Sequence, residues 1–185
     1  MKESIKNEPV KNKSPTNESS LNESIVNEFI KNESPLRIIP GDKIKGCNTK
    51  IIPVADRLAS LGSLASEMMK IMIEKKSDGL AASQIGVMAK MFVCRLSKAP
   101  GRIAVVFDPE YYPAGKSRKK KNGMEWSVSY PAQAWAVPRY RKIRVRYTNH
   151  EGGIIDVKLK RDDAIMFQHY TDLINGVTIK PEKNV

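Results

Sequence analysis

The residues best placed to do chemistry lie in Phe167–Gly176, which reads Phe-Gln-His-Tyr-Thr-Asp-Leu-Ile-Asn-Gly. Helix positions i and i+4 lie one above the other, so residues 169 and 173 are expected to point the same way. Two histidines at this spacing bind a divalent metal, and an acidic residue after the first can move protons for a bound water. Only His169 is present, because Leu173 has no donor atom. The sequence therefore predicts no catalytic metal on this helix.

Two other segments carry motifs in the same order along the chain. Gly79–Gly86 reads Gly-Leu-Ala-Ala-Ser-Gln-Ile-Gly, and Glu125–Ser129 reads Glu-Trp-Ser-Val-Ser, followed by Val-Pro-Arg-Tyr at Val137–Tyr140. With Phe167–Gly176 they resemble three motifs of peptide deformylases: G-L-A-A-x-Q-[IV]-G, then E-G-C-L-S with V-P-R-[YF], then F-Q-H-E-x-D-H-L-x-G. Order and spacing agree with that family over nearly the whole of residues 36–179.

The resemblance implies an α+β, peptide-deformylase-like fold with mostly antiparallel strands packed around a central helix that carries the metal motif. Active members of the family remove the formyl group from the N-terminal formyl-methionine of new bacterial or organellar proteins, using an iron or zinc ion. Transferred residue by residue, the metal ligands fall on Ser127, His169 and Leu173. The general acid and base falls on Tyr170.

Three of these four residues do not suit the chemistry. A neutral serine hydroxyl is a far weaker ligand than a thiolate, and a leucine is no ligand at all. A tyrosine has an unperturbed pKa near 10, against about 4.3 for glutamate. We therefore expect a catalytically inactive protein with no cofactor, acting as a binding or interaction module. The alternative is an active metal-dependent deformylase with an altered site, which would hold iron or zinc.

Other chemistry is open to few residues. Another ligand set would have to include His150 or Cys94, and a Ser127 nucleophile with His169 as its base is conceivable in type. A decaying paralogue without a selected function is a further possibility that the sequence does not separate from a binding module. Without partner ligands, His169 is interpreted as a hydrogen-bonded core histidine.

The rest of the family site matches more closely. The resemblance assigns oxyanion stabilisation to Gln84 and to the backbone N–H of Val128. Glu125 and Asp172 are interpreted as residues that hold the site together. Trp126 stands where the family has glycine, so an indole there is expected to fill part of the groove, and peptide binding is left open. The predicted substrate groove comprises Gly79, Leu80, Gln84, Ile85, Glu125 and Trp126.

The elements that must position these residues follow from hydrophobic spacing. A first helix, capped by Asp56 and running to about Lys76, buries a face that includes Met68 and Met72, interpreted as core. A second helix, capped by Asp162 or Asp163, ends at Asn175-Gly176. Strands are predicted at Met91–Leu96, Ile103–Phe107, Ile143–Tyr147 and Ile155–Leu159, the last two forming a hairpin.

Composition sets the limits of the domain. Residues 1–35 repeat Asn-Glu pairs at a period that fits neither helix nor strand, and we expect a disordered tail followed by one domain over residues 36–185. No segment is long and apolar enough for a membrane span, and we expect a protein of the bacterial cytoplasm or of an organelle.

The formal charge is +12 for the whole chain; residues 1–35 carry five Lys and six Glu, about −1, so residues 36–185 carry about +13. RNA, the ribosome or a nascent peptide are therefore possible partners, with a solvated basic face as the plainer interpretation; the oligomeric state is not predicted. The predicted basic surface comprises Lys119, Lys120, Lys121, Arg139, Arg144 and Arg146.

Overall fold

A five-stranded antiparallel sheet, with helices on both faces, forms the body of the protein. The structure is a computed structural model that describes residues 36–47, 49, 58–97, 103–115 and 121–181. The predicted disordered tail and the predicted cap Asp56 lie outside these residues. The helices are α1 (Gly41–Ile44), α2 (Leu58–Glu74) and α3 (Arg161–Ile174). The strands are β1 (Gly79–Ala81), β2 (Met91–Arg95), β3 (Ile103–Pro113), β4 (Lys121–Ser127), β5 (Tyr130–Arg139), β6 (Lys142–Thr148) and β7 (Ile154–Lys160).

The sheet runs in the order β1-β2-β3-β6-β7, and every pairing is antiparallel. Because side chains alternate across a strand, β2 contributes to two cores. Phe92 and Cys94 pack on the α3 side, whereas Met91 and Val93 pack on the α2 side. The α+β class and the antiparallel arrangement around the motif-bearing helix are thereby confirmed.

Helix α2 buries Leu61, Ala65, Met68 and Met72 against β1 and β2, as its spacing predicts. The methionines are fully buried in this core, which confirms their interpretation as core residues. Strands β2, β3, β6 and β7 match the four predicted strands, although β3 continues to Pro113. A register shift between Phe107 and Glu110 and a positive φ of 48° at Asp108 bend β3 in the middle.

Helix α3 ends where the sequence predicts, with Asn175 as its C-cap and Gly176 at a φ of +72°. The predicted N-terminal cap is wrong. Strand β7 runs directly into α3, so the cap position falls on Lys160, which makes no side-chain capping bond. Asp163 lies inside the first turn, and its carboxylate instead accepts hydrogen bonds from the backbone N–H and the hydroxyl of Ser97.

Strands β4 and β5 form a separate two-stranded sheet that the hydrophobic pattern did not predict. Most side chains of β5 are exposed, so the alternation that marks a half-buried strand is weak there. Pro131 and Pro138 also lie within β5, and proline is tolerated only at a sheet edge. This hairpin brings the second sequence motif to α3. No helix in the described part of the chain is long and apolar enough to cross a membrane.

Candidate functional site

The three sequence motifs meet between α3, the β4–β5 hairpin and the turn that follows β1. Helix α3 presents His169, strand β4 presents Glu125 and Ser127, and a short 3₁₀ turn at Ala82–Ile85 presents Gln84. All four side chains are buried. The fold therefore assembles the positions that the family resemblance singles out, although they are far apart in sequence.

Charged side chains form a hydrogen-bonded network in the site. The Arg139 guanidinium donates to Glu125 through Nε to Oε1 at 2.7 Å and through Nη2 to Oε2 at 3.0 Å. Its Nη1 donates to Asp172, which also accepts a hydrogen bond from the Tyr111 hydroxyl at 3.2 Å. Glu125 Oε2 lies 2.9 Å from His169 Nδ1. Each buried charge in this network has an opposite charge or a hydrogen-bond partner, as burial requires.

These contacts shift the pKa values of Glu125 and Arg139. Burial alone would raise the pKa of Glu125, but hydrogen bonds from His169 and Arg139 outweigh it and hold the pKa below its usual value. Burial alone would lower the pKa of Arg139, but its bonds to Glu125 and the charge of Asp172 raise the pKa instead. Because the Glu125 carboxylate only accepts hydrogen bonds, we assign a proton to His169 Nδ1.

Ser127 occupies the position that the resemblance assigns to a metal-binding cysteine. Its Oγ accepts a hydrogen bond from Gln84 Nε2 at 3.1 Å and one from the Ser129 backbone N–H at 3.4 Å. Gln84 Nε2 also donates to Ser129 Oγ at 3.2 Å, while Gln84 Oε1 accepts from the Ala81 N–H at 2.9 Å. Because both amide hydrogens of Gln84 are engaged, an oxyanion could bind them only by displacing a serine.

Leu173 and Tyr170 occupy the positions of the second histidine and the catalytic glutamate. Leu173 is 1% exposed and packs in the core on the α3 side. The Tyr170 ring covers the backbone of Gly79, where a Cβ atom would lie 2.3 Å from Tyr170 Cε2. Burial raises the pKa of the Tyr170 phenol, and its hydroxyl lies 3.5 Å from Ser77 Oγ. This phenol is therefore poorly suited to accept a proton at neutral pH.

This donor set does not fit the metal ion that the family implies. It offers one imidazole, one hydroxyl that already accepts two hydrogen bonds, and one hydrocarbon side chain. Catalytic zinc sites use three protein ligands and an open position for water. Among the described residues, no group of three or more His, Cys, Asp or Glu side chains is placed to hold a metal ion.

The other candidate residues do not come together as an alternative site. Burial raises the pKa of Cys94, which lies inside the core, and His150 lies in the exposed β6–β7 turn. Ser127 Oγ makes no hydrogen bond to His169 within the described part of the chain. A serine–histidine pair therefore lacks the contact that it needs.

The predicted groove residues and Val128 differ in their exposure. Gly79, Leu80, Gln84 and Ile85 are buried, and none of them lines either cavity beside the site. Trp126, which is 56% exposed, belongs to both of these cavities. Val128 is half-buried in the β4–β5 turn.

The predicted basic surface also changes in part. Arg139 is only 5% exposed and belongs to the hydrogen-bonded network with Glu125 and Asp172, so its assignment to that surface is wrong. Arg144 and Arg146 are exposed on β6. Lys119 and Lys120 lie outside the described residues, and only the backbone of Lys121 is described.

The sequence reasoning missed the residues that form the cavity next to His169. They come from the segment before β1, from β4 and from the first half of α3, and they include Ser77, Asp78, Met124, Asp162, Ile165 and Met166. Asp78 directly precedes the first motif, and Asp162 lies seven positions before His169. Two helical turns separate Asp162 from His169, and this spacing could have predicted that both lie on one face of the helix.

Comparison with known proteins agrees with this fold. The polypeptide deformylase family model matches residues 43–182. The peptide deformylase of Aquifex aeolicus is 31% identical over 144 residues, covering 76% of this chain and 82% of the relative. The peptide deformylase structure from Thermus thermophilus superposes with a TM-score of 0.67 at 30% identity, covering 78% of this chain and 82% of that one. The Thermotoga maritima structure gives 0.69 at 26% identity, covering 78% and 94%. The chain belongs to the peptide deformylase family.

Proposed function

We propose that this protein does not hydrolyse formyl groups through a bound metal ion and acts as a binding protein built on the deformylase fold. The observation that carries the proposal is the occupation of the ligand positions by Ser127 and Leu173 beside His169. One imidazole does not retain zinc or iron against competing ligands, since stable catalytic sites use three protein ligands. Without the ion there is no activated hydroxide to attack a formyl carbon at neutral pH.

The groups around these positions support the same proposal. Gln84 is tied to Ser127 and Ser129, so the side chain that the resemblance assigns to the oxyanion has no amide hydrogen left. Burial raises the pKa of the Tyr170 phenol. The hydroxyl therefore stays protonated at neutral pH and has no phenolate form that could accept a proton. Both residues would have to rearrange before they could assist hydrolysis.

A cationic surface supplies the proposed partner contact. Helix α2 covers the β1–β2 part of one sheet face, and the β6–β7 part of the same face carries exposed cations. Cross-strand pairing places Lys142 beside Lys160 and Arg144 beside Lys158, and Arg144 lies opposite the exposed Tyr112 of β3. Glu110 and Asp156 both pair with Arg146, and Asp156 also accepts a hydrogen bond from Arg144. Such a face suits the phosphates of RNA, including ribosomal RNA.

We further propose that the binding role is exercised where proteins begin with formyl-methionine, in the bacterial cytoplasm or an organelle. Ribosomal RNA at the site of synthesis would engage the cationic face. A nascent formyl-methionine peptide would have to enter the groove beside Trp126.

The catalytic part is tested by formate release. The protein is loaded separately with iron(II) under anaerobic conditions, nickel(II) and zinc(II), and is then given a formyl-methionine peptide. The expected result is no formate above that released by the free ions. Formate release that requires both protein and metal, and that follows saturation kinetics, would support the alternative of an active deformylase with an altered site.

The surface part is tested by RNA binding measured with fluorescence anisotropy at several salt concentrations. The combined change Lys142→Glu and Lys160→Glu should weaken binding to all RNA sequences alike and reduce its salt dependence. The matched control, Lys70→Glu with Lys75→Glu, reverses the same charge on exposed positions at α2 and just beyond its end. Equal losses in both pairs of variants would show that net charge, and not this face, makes the contact.

A further inference from the structure

A small cavity lies beside His169, between α3, strand β4 and the segment that leads into β1. Its volume is about 260 Å³, just below the roughly 300–1,000 Å³ of typical ligand sites. Met124, Trp126, Ile165 and Met166 form its apolar wall. The cavity therefore suits one side-chain-sized group with an apolar body.

The charge in this cavity is negative, although the whole chain carries +12. Asp78 and Asp162 line it from opposite elements, and neither a lysine nor an arginine is among the described residues around it. Asp78 has one weak ion pair, in which Arg95 Nε lies 3.9 Å from Asp78 Oδ1, and the Asp78 side chain is 68% exposed. The Glu125 carboxylate at the back of the cavity is already occupied by Arg139 and His169.

His169 adds a buried acceptor. Its side chain is 8% exposed, and its Nδ1 faces Glu125. In the neutral ring with the proton on Nδ1, the Nε2 lone pair accepts hydrogen bonds. Nε2 has no hydrogen-bond partner among the described residues, and the ring lines the cavity. A buried acceptor without a partner is costly, so a donor from a ligand would be stabilised there.

These features select one kind of ligand. Carboxylates and a neutral imidazole nitrogen accept hydrogen bonds, so the ligand must carry N–H donors and a positive charge. An exposed indole beside the carboxylates adds a cation–π contact. The apolar wall requires a short hydrocarbon chain next to the charge.

We propose that this cavity binds a primary alkylammonium group, carried either by a free amine or by a lysine side chain. The inference rests on the proposed function, because a divalent ion on His169 would occupy Nε2 and repel an ammonium group. Ammonium recognition would make the protein a receptor for amines at the place where its relatives do their chemistry.

The test uses the full chain and n-pentylamine as the probe, with pentan-1-ol and hexanoate as neutral and anionic probes of similar length. Binding is followed by the indole N–H signal in NMR spectra, and the Trp126 signal is identified by its loss in Trp126→Phe. Metal content is measured on the same sample. Pentylamine should shift the Trp126 signal saturably, while pentan-1-ol should bind about tenfold more weakly and hexanoate should not bind.

Single charge removals locate the site. Asp78→Asn and Asp162→Asn should each weaken pentylamine binding about threefold to tenfold, as expected for partly exposed carboxylates. Glu151→Gln removes the same charge from the exposed β6–β7 turn and should leave binding unchanged. All three side chains are exposed, so melting temperatures should stay close to that of the parent protein.

The outcomes separate the two proposals. Equal affinity for pentylamine and pentan-1-ol, or equal effects of Asp78→Asn and Glu151→Gln, would overturn the ammonium site while leaving a metal-free protein intact. Bound metal that blocks pentylamine until a chelator is added would overturn the proposed function and retain the cavity. Nα-acetyl-lysine-N-methylamide distinguishes the sources, since tighter binding than pentylamine assigns the site to a lysine side chain and weaker binding to a free amine.

Discussion

Arg139 and Arg144 each bind a carboxylate with the same geometry in two different parts of the molecule. Arg139 reaches Glu125 at 2.7 and 3.0 Å, and Arg144 reaches Asp156 at 2.7 and 3.0 Å. The first pair is buried, with side chains 6% and 7% exposed, whereas the second is 60% and 41% exposed on the open sheet face. The two ion pairs therefore have equal distances but different energies, because burial removes the water that would otherwise solvate each charge.

The buried pair also shows what holds the site in place. Within the hairpin, Arg139 of β5 binds Glu125 of β4. Two contacts then reach α3, from Arg139 to Asp172 and from Glu125 to His169. These contacts need no ion, so the hairpin and α3 can keep their relative position without a metal. The exposed pair joins two neighbouring strands that are already joined by their backbones.

The comparison predicts its largest effect at Arg139. Arg139→Met leaves the buried Glu125 and the half-buried Asp172 without their cation, and we expect a loss of about 3–5 kcal/mol in the free energy of unfolding. Arg144→Met, the matched control, should cost no more than about 1 kcal/mol, since its carboxylate stays in water. Urea unfolding of both variants measures the difference. Similar losses would mean that the site network is no more important than a surface pair.

The next largest effect is expected at the positions where the family has metal ligands. Leu173→His places an imidazole in a fully packed core position, and we expect a cost of roughly 2–4 kcal/mol without metal. The combined change Ser127→Cys, Tyr170→Glu and Leu173→His supplies three ligands for zinc, so saturating zinc should raise its melting temperature. The parent protein, heated with and without zinc, is the control. A folded triple variant indifferent to zinc would contradict the proposed correspondence of these positions.

The smallest effect concerns the packing of Tyr170 on Gly79. A Cβ at this position would lie 2.3 Å from the Tyr170 ring and 2.7 Å from the Val93 carbonyl oxygen, so Gly79→Ala should cost about 1–3 kcal/mol. Gly62 lies in α2 with nothing within 4 Å of its added Cβ. Gly62→Ala should therefore stabilise the protein by about 0.5–1 kcal/mol. If Gly79→Ala stabilises the protein as well, Tyr170 is not packed as described.

Part of the fold could be predicted because its residues carry a strong period. The buried face of α2 and the alternation of Ile143, Val145 and Tyr147 in β6 follow directly from burial on one side. The β4–β5 hairpin could not be predicted in this way, since its side chains are mostly exposed and prolines interrupt it. The positions in the site were reached through motifs instead of periodicity.

Burial and tertiary neighbours were not accessible from the sequence. In the sequence, Arg139 stands in a close run of cations with Arg141, Lys142 and Arg144, and nothing in that run distinguishes a buried cation from an exposed one. In the structure the Arg139 side chain is buried, and its positive charge is paired with the carboxylates of Glu125 and Asp172. The acidic cavity was missed for the same reason, because Asp78 and Asp162 are 84 positions apart and only the fold brings them together.

Metal stoichiometry is the measurement that tests the central proposal most directly. The full chain is incubated with excess nickel(II) or zinc(II), passed through a desalting column, and assayed by elemental analysis beside the triple variant treated in the same way. We expect only trace metal in the parent protein and a stoichiometric amount in the folded triple variant. A stoichiometric amount of metal retained by the parent protein, and lost on His169→Ala, would contradict the proposal.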